Sequence, residues 1–152
     1  MAVALAAIVT LAAQLEAQRP LAPVGTQDLT FGIVIPGLPT AVSRLDAANS
    51  GQYEIRGERL TEVRVDLTLP ATLDSPSGAA MPLQFGAGDG GFADRPAIRS
   101  SQVFDPRAPL ITGLSASGRL YIWLGGTVLP VPTQEQGDYA ATIVLTVSYT
   151  GV

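Results

Sequence analysis

The chain has 152 residues, 47% of them apolar and 14% charged, with a formal net charge of −4. That length can bury a core without covalent staples and suits one domain, and so apolar and weakly charged a composition excludes intrinsic disorder. Histidine, cysteine and lysine are absent and all nine cations are arginine; this excludes Ser-His-Asp and Cys-His nucleophiles, Ser-Lys dyads, Schiff-base or P-loop lysines and Cys/His zinc sites.

Carboxylates are the remaining acid–base groups, with 13 Asp and Glu, and the expectation is a protein that is not an enzyme and needs no cofactor or metal. The negative charge gives no electrostatic case for nucleic acid. Abundant glycine (16) and proline (12) among many Val, Leu, Ile and Thr residues point to an all-β sandwich or barrel.

In chain order, residues 1–18 come first. Val3, Leu5, Ala7, Val9, Leu11, Ala13 and Leu15 share one parity, and mostly small or polar residues fill the other. A strand-forming arm fits that alternation. A signal-peptide apolar region has a similar length, but the first arginine is Arg19, after the run rather than before it. A helix would be apolar all round. The run reaches only Ala13 before Gln14 and Glu16, short of the ~20 apolar residues of a membrane span, so no stable span is expected.

Residues 19–27, with Pro20, Pro23 and Gly25, read as a linker, and residues 28–152 as the β-domain. Leu29, Phe31, Ile33 and Ile35 predict a strand ending at Pro36-Gly37. Short strands are expected over Ala41–Asp46 and Gln52–Arg56. Thr61–Leu69 has the clearest alternation: Val63, Val65, Leu67 and Leu69 inward, Glu62, Arg64, Asp66 and Thr68 outward.

Asp74–Gly78 reads as a turn and Met81–Phe85 as a strand. The run Gly86-Ala87-Gly88-Asp89-Gly90-Gly91 reads as a loop, with too few nearby carboxylates (Asp89, Asp94) for calcium. Ile98–Phe104 is expected at a sheet edge. Leu120–Leu129 alternates Leu120, Ile122 and Leu124 against Tyr121, Trp123 and Gly125. The last run, Asp138–Tyr149, sets Tyr139, Ala141, Ile143, Leu145, Val147 and Tyr149 on one face, and the chain stops shortly after. About eight strands result, in an immunoglobulin-like or jelly-roll-like antiparallel sandwich. An alternating arm and an abruptly ending last strand together raise the expectation that one molecule's arm completes the next molecule's sheet.

The patches Gly125-Gly126-Thr127-Val128, Gly137-Asp138-Tyr139 and Thr146-Val147-Ser148-Tyr149, with Leu29-Thr30-Phe31-Gly32, resemble spore-coat-protein-U-like domains, which include the archaic chaperone–usher pilins. Gly137 and Tyr149 reproduce the twelve-residue spacing between a glycine and a near-terminal aromatic that chaperone–usher pilins tend to show on their last strand. The chain departs from the pattern in having Gly151 next to last, where the family has its aromatic, and in lacking the cysteines many such pilins carry.

The resemblance implies a sandwich lacking its final strand, completed by β-augmentation from a neighbour. The donor arm would present Val3, Leu5, Ala7, Val9, Leu11 and Leu15. The acceptor would be the last strand, with Gly137, Tyr139, Ala141, Ile143, Leu145, Val147 and Tyr149. The implied function is the structural subunit of an extracellular, cell-surface pilus or fibre. Its partners would be copies of itself, with a periplasmic chaperone and outer-membrane usher during assembly. The alternative is a secreted monomeric surface or carbohydrate-binding β-sandwich domain with an N-terminal signal peptide, using Tyr121 and Trp123 as a platform, although these two read more simply as ordinary cross-strand packing. A third reading is a glycosidase built from two of Glu54, Glu58, Glu62 and Asp66; these residues read more simply as charges on a wet sheet face.

Overall fold

The computed structural model describes residues 18–151. The chain there forms strands β1 (Ala22–Gln27), β2 (Thr40–Val42), β3 (Gly51–Arg56), β4 (Glu62–Thr68), β5 (Thr72–Asp74) and β6 (Ala80–Gln84). It continues through β7 (Gly90–Ala93), β8 (Gln102–Phe104), β9 (Leu110–Gly113), β10 (Arg119–Leu124), β11 (Gly126–Val128) and β12 (Val144–Tyr149). A single 3-10 turn at Ile98–Ser100 is the only helical element among the described residues. The donor-arm positions Val3, Leu5, Ala7, Val9, Leu11 and Leu15 lie outside the described residues.

The architecture is an all-β sandwich with antiparallel pairing throughout. One layer is the five-stranded sheet β1-β3-β10-β7-β8. The facing side is built in two pieces, β12-β4-β9 and β2-β11-β6-β5. Alternation places the core as it does in any half-buried sheet: β4 buries Val63 and Val65 between exposed Glu62 and Arg64.

Ile55, Leu120 and Ile122 of the first sheet close on Val63, Val65 and Leu110 of the β12-β4-β9 piece. Each fully buried Val, Leu or Ile there is worth roughly 1.5–3 kcal/mol. A second core cluster joins Leu124 to Met81, Leu83, Phe85 and Val128. The chain crosses between layers at Gly125, where β10 becomes β11. A Cβ at Gly125 would sit 2.4 Å from the Val42 carbonyl oxygen, so only glycine lets the backbones approach this closely.

The structure corrects several expectations. Residues 22–27 of the expected linker form β1, in register with β3 (Ala22 opposite Arg56, Gly25 opposite Tyr53). Pro23 is tolerated because β1 is a sheet edge and owes no second ladder. Gly90 and Gly91 belong to β7 rather than to a loop: a Cβ on Gly90 would meet the Phe104 backbone oxygen at 2.6 Å, so the glycine serves strand approach. The Ala41–Asp46 strand stops at Val42. The expected Ile98–Phe104 strand begins with the 3-10 turn, and only β8 pairs, at the sheet edge. Strands β5 and β9 had no expectation attached to them.

The two largest departures concern the expected strands at either end of the domain. Leu29–Ile35 forms no strand, and the Asp138–Tyr149 run enters its ladder only at Val144. Both lie beside the same groove.

Candidate functional site

Segment 138–149 is paired along one side only. From Val144 to Tyr149 it pairs with β4, Val144 opposite Thr68 and Tyr149 opposite Val63. Further back, Ala140 forms an isolated bridge with Asp74, with backbone bonds of 2.9 and 3.0 Å. The partner changes from β5 at Ala140 to β4 at Val144, and residues 141–143 pair with neither. Among the described residues nothing pairs with the other side of this segment.

β1 is likewise an edge of its sheet. Between these two edges runs a groove of about 1060 Å³. One wall is Gly137 to Ile143 with Leu145; the other is Pro23–Gly25 and Asp28–Val34; the floor is Leu73, Met81 and Leu83. The floor is the second core cluster itself, against which Leu29, Phe31, Val34, Tyr139 and Ile143 are only partly buried. One end of the hydrophobic core therefore opens into the groove.

Backbone groups are left over as well as side chains. The amides of Phe31 through Ile35 donate to no backbone carbonyl among the described residues. Buried without a partner, each such group would cost about 1–3 kcal/mol, so they stay at the surface. Ile33 is 96% exposed and Ile35 58%.

Two tyrosine hydroxyls fix the two ends of segment 138–149. At one end the Tyr139 hydroxyl donates to the Glu135 carbonyl (2.6 Å) and accepts from Gln134 Nε2 (2.8 Å). At the other, the Tyr149 hydroxyl accepts from the Glu58 amide (2.7 Å) and donates to the Arg19 carbonyl, while the Arg19 amide donates to Glu58 Oε2 (3.1 Å). Tyr149 thus ties the last strand to the chain just ahead of β1. The groove's charges are Asp28, Glu135 and Asp138, with no arginine in the lining. Tyr53 also lines it, its phenol pushed above its ordinary value by burial and then by the charge of Asp28.

Of the sequence-predicted acceptor residues, Gly137, Tyr139, Ala141, Ile143 and Leu145 line the groove. Val147 and Tyr149 pack instead on the first core cluster. Phe31, Val34, Met81 and Leu83 are groove residues that sequence reasoning assigned to no site, although the parity of Leu29 and Phe31 carried the signal.

The other candidates are dispersed. Glu54 is held by Arg56 (2.9 Å) and Arg119 (3.4 Å), and the Arg56 hydrogen bond draws its carboxyl below the usual range. Glu58 accepts from Arg19, Glu62 from the Thr150 hydroxyl (2.8 Å), and Asp66 pairs with Arg64 (2.9 Å). The four carboxylates thus have four separate sets of partners. Asp89 accepts from the Gly86 amide at 2.6 Å, closing its own turn. Among the described residues no three Asp or Glu cluster as metal ligands. Tyr121 stacks on Trp123 with centroids 6.3 Å apart and planes 24° apart. Trp123 is only 4% exposed, so one ring covers the other. No helix of the described residues is long and apolar enough to cross a membrane. No protein-family model matches the chain, and no curated protein does either.

Proposed function

We propose that the chain is the structural subunit of an extracellular, cell-surface fibre in which residues 1–17 of one copy complete the sandwich of the next. The observation that carries this reading is the groove: two sheet edges left unpaired on either side of an open core cluster. The wall from Gly137 to Leu145 spans nine residues, and Val3–Leu11 spans the same number, about 30 Å if extended at ~3.3 Å per residue.

Chemistry agrees with length. The groove's mouth carries carboxylates and no cation, and Val3–Leu11 carries no charge at all. Burying Val3, Leu5, Val9 and Leu11 would contribute ~6–12 kcal/mol before ordering costs, at roughly 1.5–3 each. The small residues of the other parity let a neighbouring layer approach. A periplasmic chaperone and an outer-membrane usher belong to this proposal as assembly partners that would keep the apolar groove covered before the arm arrives.

Deleting residues 1–17 tests it: filaments seen by electron microscopy for the full chain should vanish. Unchanged filaments, or a mature protein whose N-terminal sequencing starts near Gln18, would refute the proposal.

A further inference from the structure

Between Phe31 and Val34 the chain changes the face it shows. Leu29 and Phe31 turn toward the second core cluster, as their parity dictates, yet Ile33 and Ile35 continue that parity and are exposed, while Val34 turns inward in their place. The change of phase coincides with Gly32, whose φ of +66° lies in the left-handed region that residues with a Cβ avoid. Packing does not demand glycine here, because a Cβ at Gly32 would meet nothing within 4 Å. What the glycine provides is the kink.

We propose that Gly32 is a hinge, and that segment Leu29–Ile35 straightens to become the second pairing edge for the strand that enters the groove. This rests on the fibre reading, and the entering strand is residues 3–11 of a second copy. With Gly32 in an ordinary extended conformation, period-two alternation returns. Leu29, Phe31, Ile33 and Ile35 then share the core-facing side, and Val34, which lines the empty groove, leaves it. The amides of Phe31–Ile35, without backbone partners in the kinked state, gain an edge to pair with. The kinked state is the resting form, with Val34 occupying space the strand needs; the straight state is the receptor.

The test uses the full-length chain, held below the concentration at which filaments form so that the grooves are open, and a fluorophore-labelled synthetic peptide of residues 1–17. Saturable binding by anisotropy, together with slowed amide hydrogen exchange across residues 31–35, is the expected result. Saturable binding with unchanged exchange there overturns the hinge and leaves the fibre reading standing; absence of binding overturns both. Gly32→Ala penalises the left-handed conformation and should tighten peptide binding about 5–30-fold. Gly32→Asn tolerates that conformation and should stay within about threefold of the parent. Equal affinities for all three proteins, or a weaker Gly32→Ala, would overturn the hinge.

Discussion

Removing a single oxygen, Tyr149→Phe, should loosen the junction between the last strand and the start of β1 while leaving the ring packed where it is. The hydroxyl takes part in two hydrogen bonds, from the Glu58 amide at 2.7 Å and to the Arg19 carbonyl. Neutral hydrogen bonds contribute about 0.5–1.5 kcal/mol each, and the Glu58 amide, half-buried, loses its acceptor. The loss should therefore be about 1–3 kcal/mol. With a urea slope of about 1–3 kcal/mol per molar, the unfolding midpoint should fall by roughly 1 M. The thermal midpoint should drop about 2–4 °C for each kcal/mol lost. Unfolding is best followed at two protein concentrations tenfold apart, so that any contribution from association shows itself. Amide exchange should quicken at Leu21 and Glu58 but not in the middle of β4. A urea midpoint within about 0.2 M of the parent, or unchanged exchange at Leu21, would refute the reasoning that Tyr149 latches this end.

Gly125→Ala should be among the most damaging single-methyl additions, since its Cβ would lie 2.4 Å from one backbone atom and 2.6 Å from another; a loss of several kcal/mol in chemical denaturation, or failure to fold, is expected. Tyr53→Phe tests the pH dependence. The phenol is raised above 10.0 in the folded state, so its stability contribution is complete below about pH 10 and declines as pH rises toward the folded value. The variant should therefore lose less stability than the parent between about pH 10 and 12, as followed by denaturant midpoints; parallel curves would show that folding does not raise the Tyr53 phenol.

Strands whose neighbours are complete were legible in the sequence. Thr61–Leu69 and Gln52–Arg56 read correctly because each is flanked on both sides, and alternation alone decides such a strand's orientation. The elements that escaped reading did so for distinct reasons. β1 was hidden by Pro23 and Gly25, which local rules assign to turns, although an edge strand pairing on one side tolerates them. Gly90 and Gly91 look like loop glycines until the closeness of Phe104 is known, and that closeness is a tertiary fact.

Leu29–Ile35 is the opposite case. Its alternation is a strand's, but a strand needs a neighbour and none is present among the described residues. For the candidate groove, the last-strand residues Tyr139, Ile143 and Leu145 could be named from parity. The floor residues Met81 and Leu83 could not, because what lies beneath a gap depends on how two distant hairpins meet.

The crossing at Gly125 bears on when the molecule can fold during synthesis. Among the described residues, β10 is the only link between the β1-β3 pair and the β7-β8 pair, and β11 the only link between β2 and the β5-β6 hairpin. Both linking strands lie within one stretch, Arg119–Val128. A ribosome working from the N-terminus therefore releases more than a hundred residues of separate pairs and hairpins, with apolar faces uncovered, before either layer can close. The same ten residues then close the five-stranded sheet and the β2-β11-β6-β5 piece together, and β12 is left to complete the β12-β4-β9 piece last.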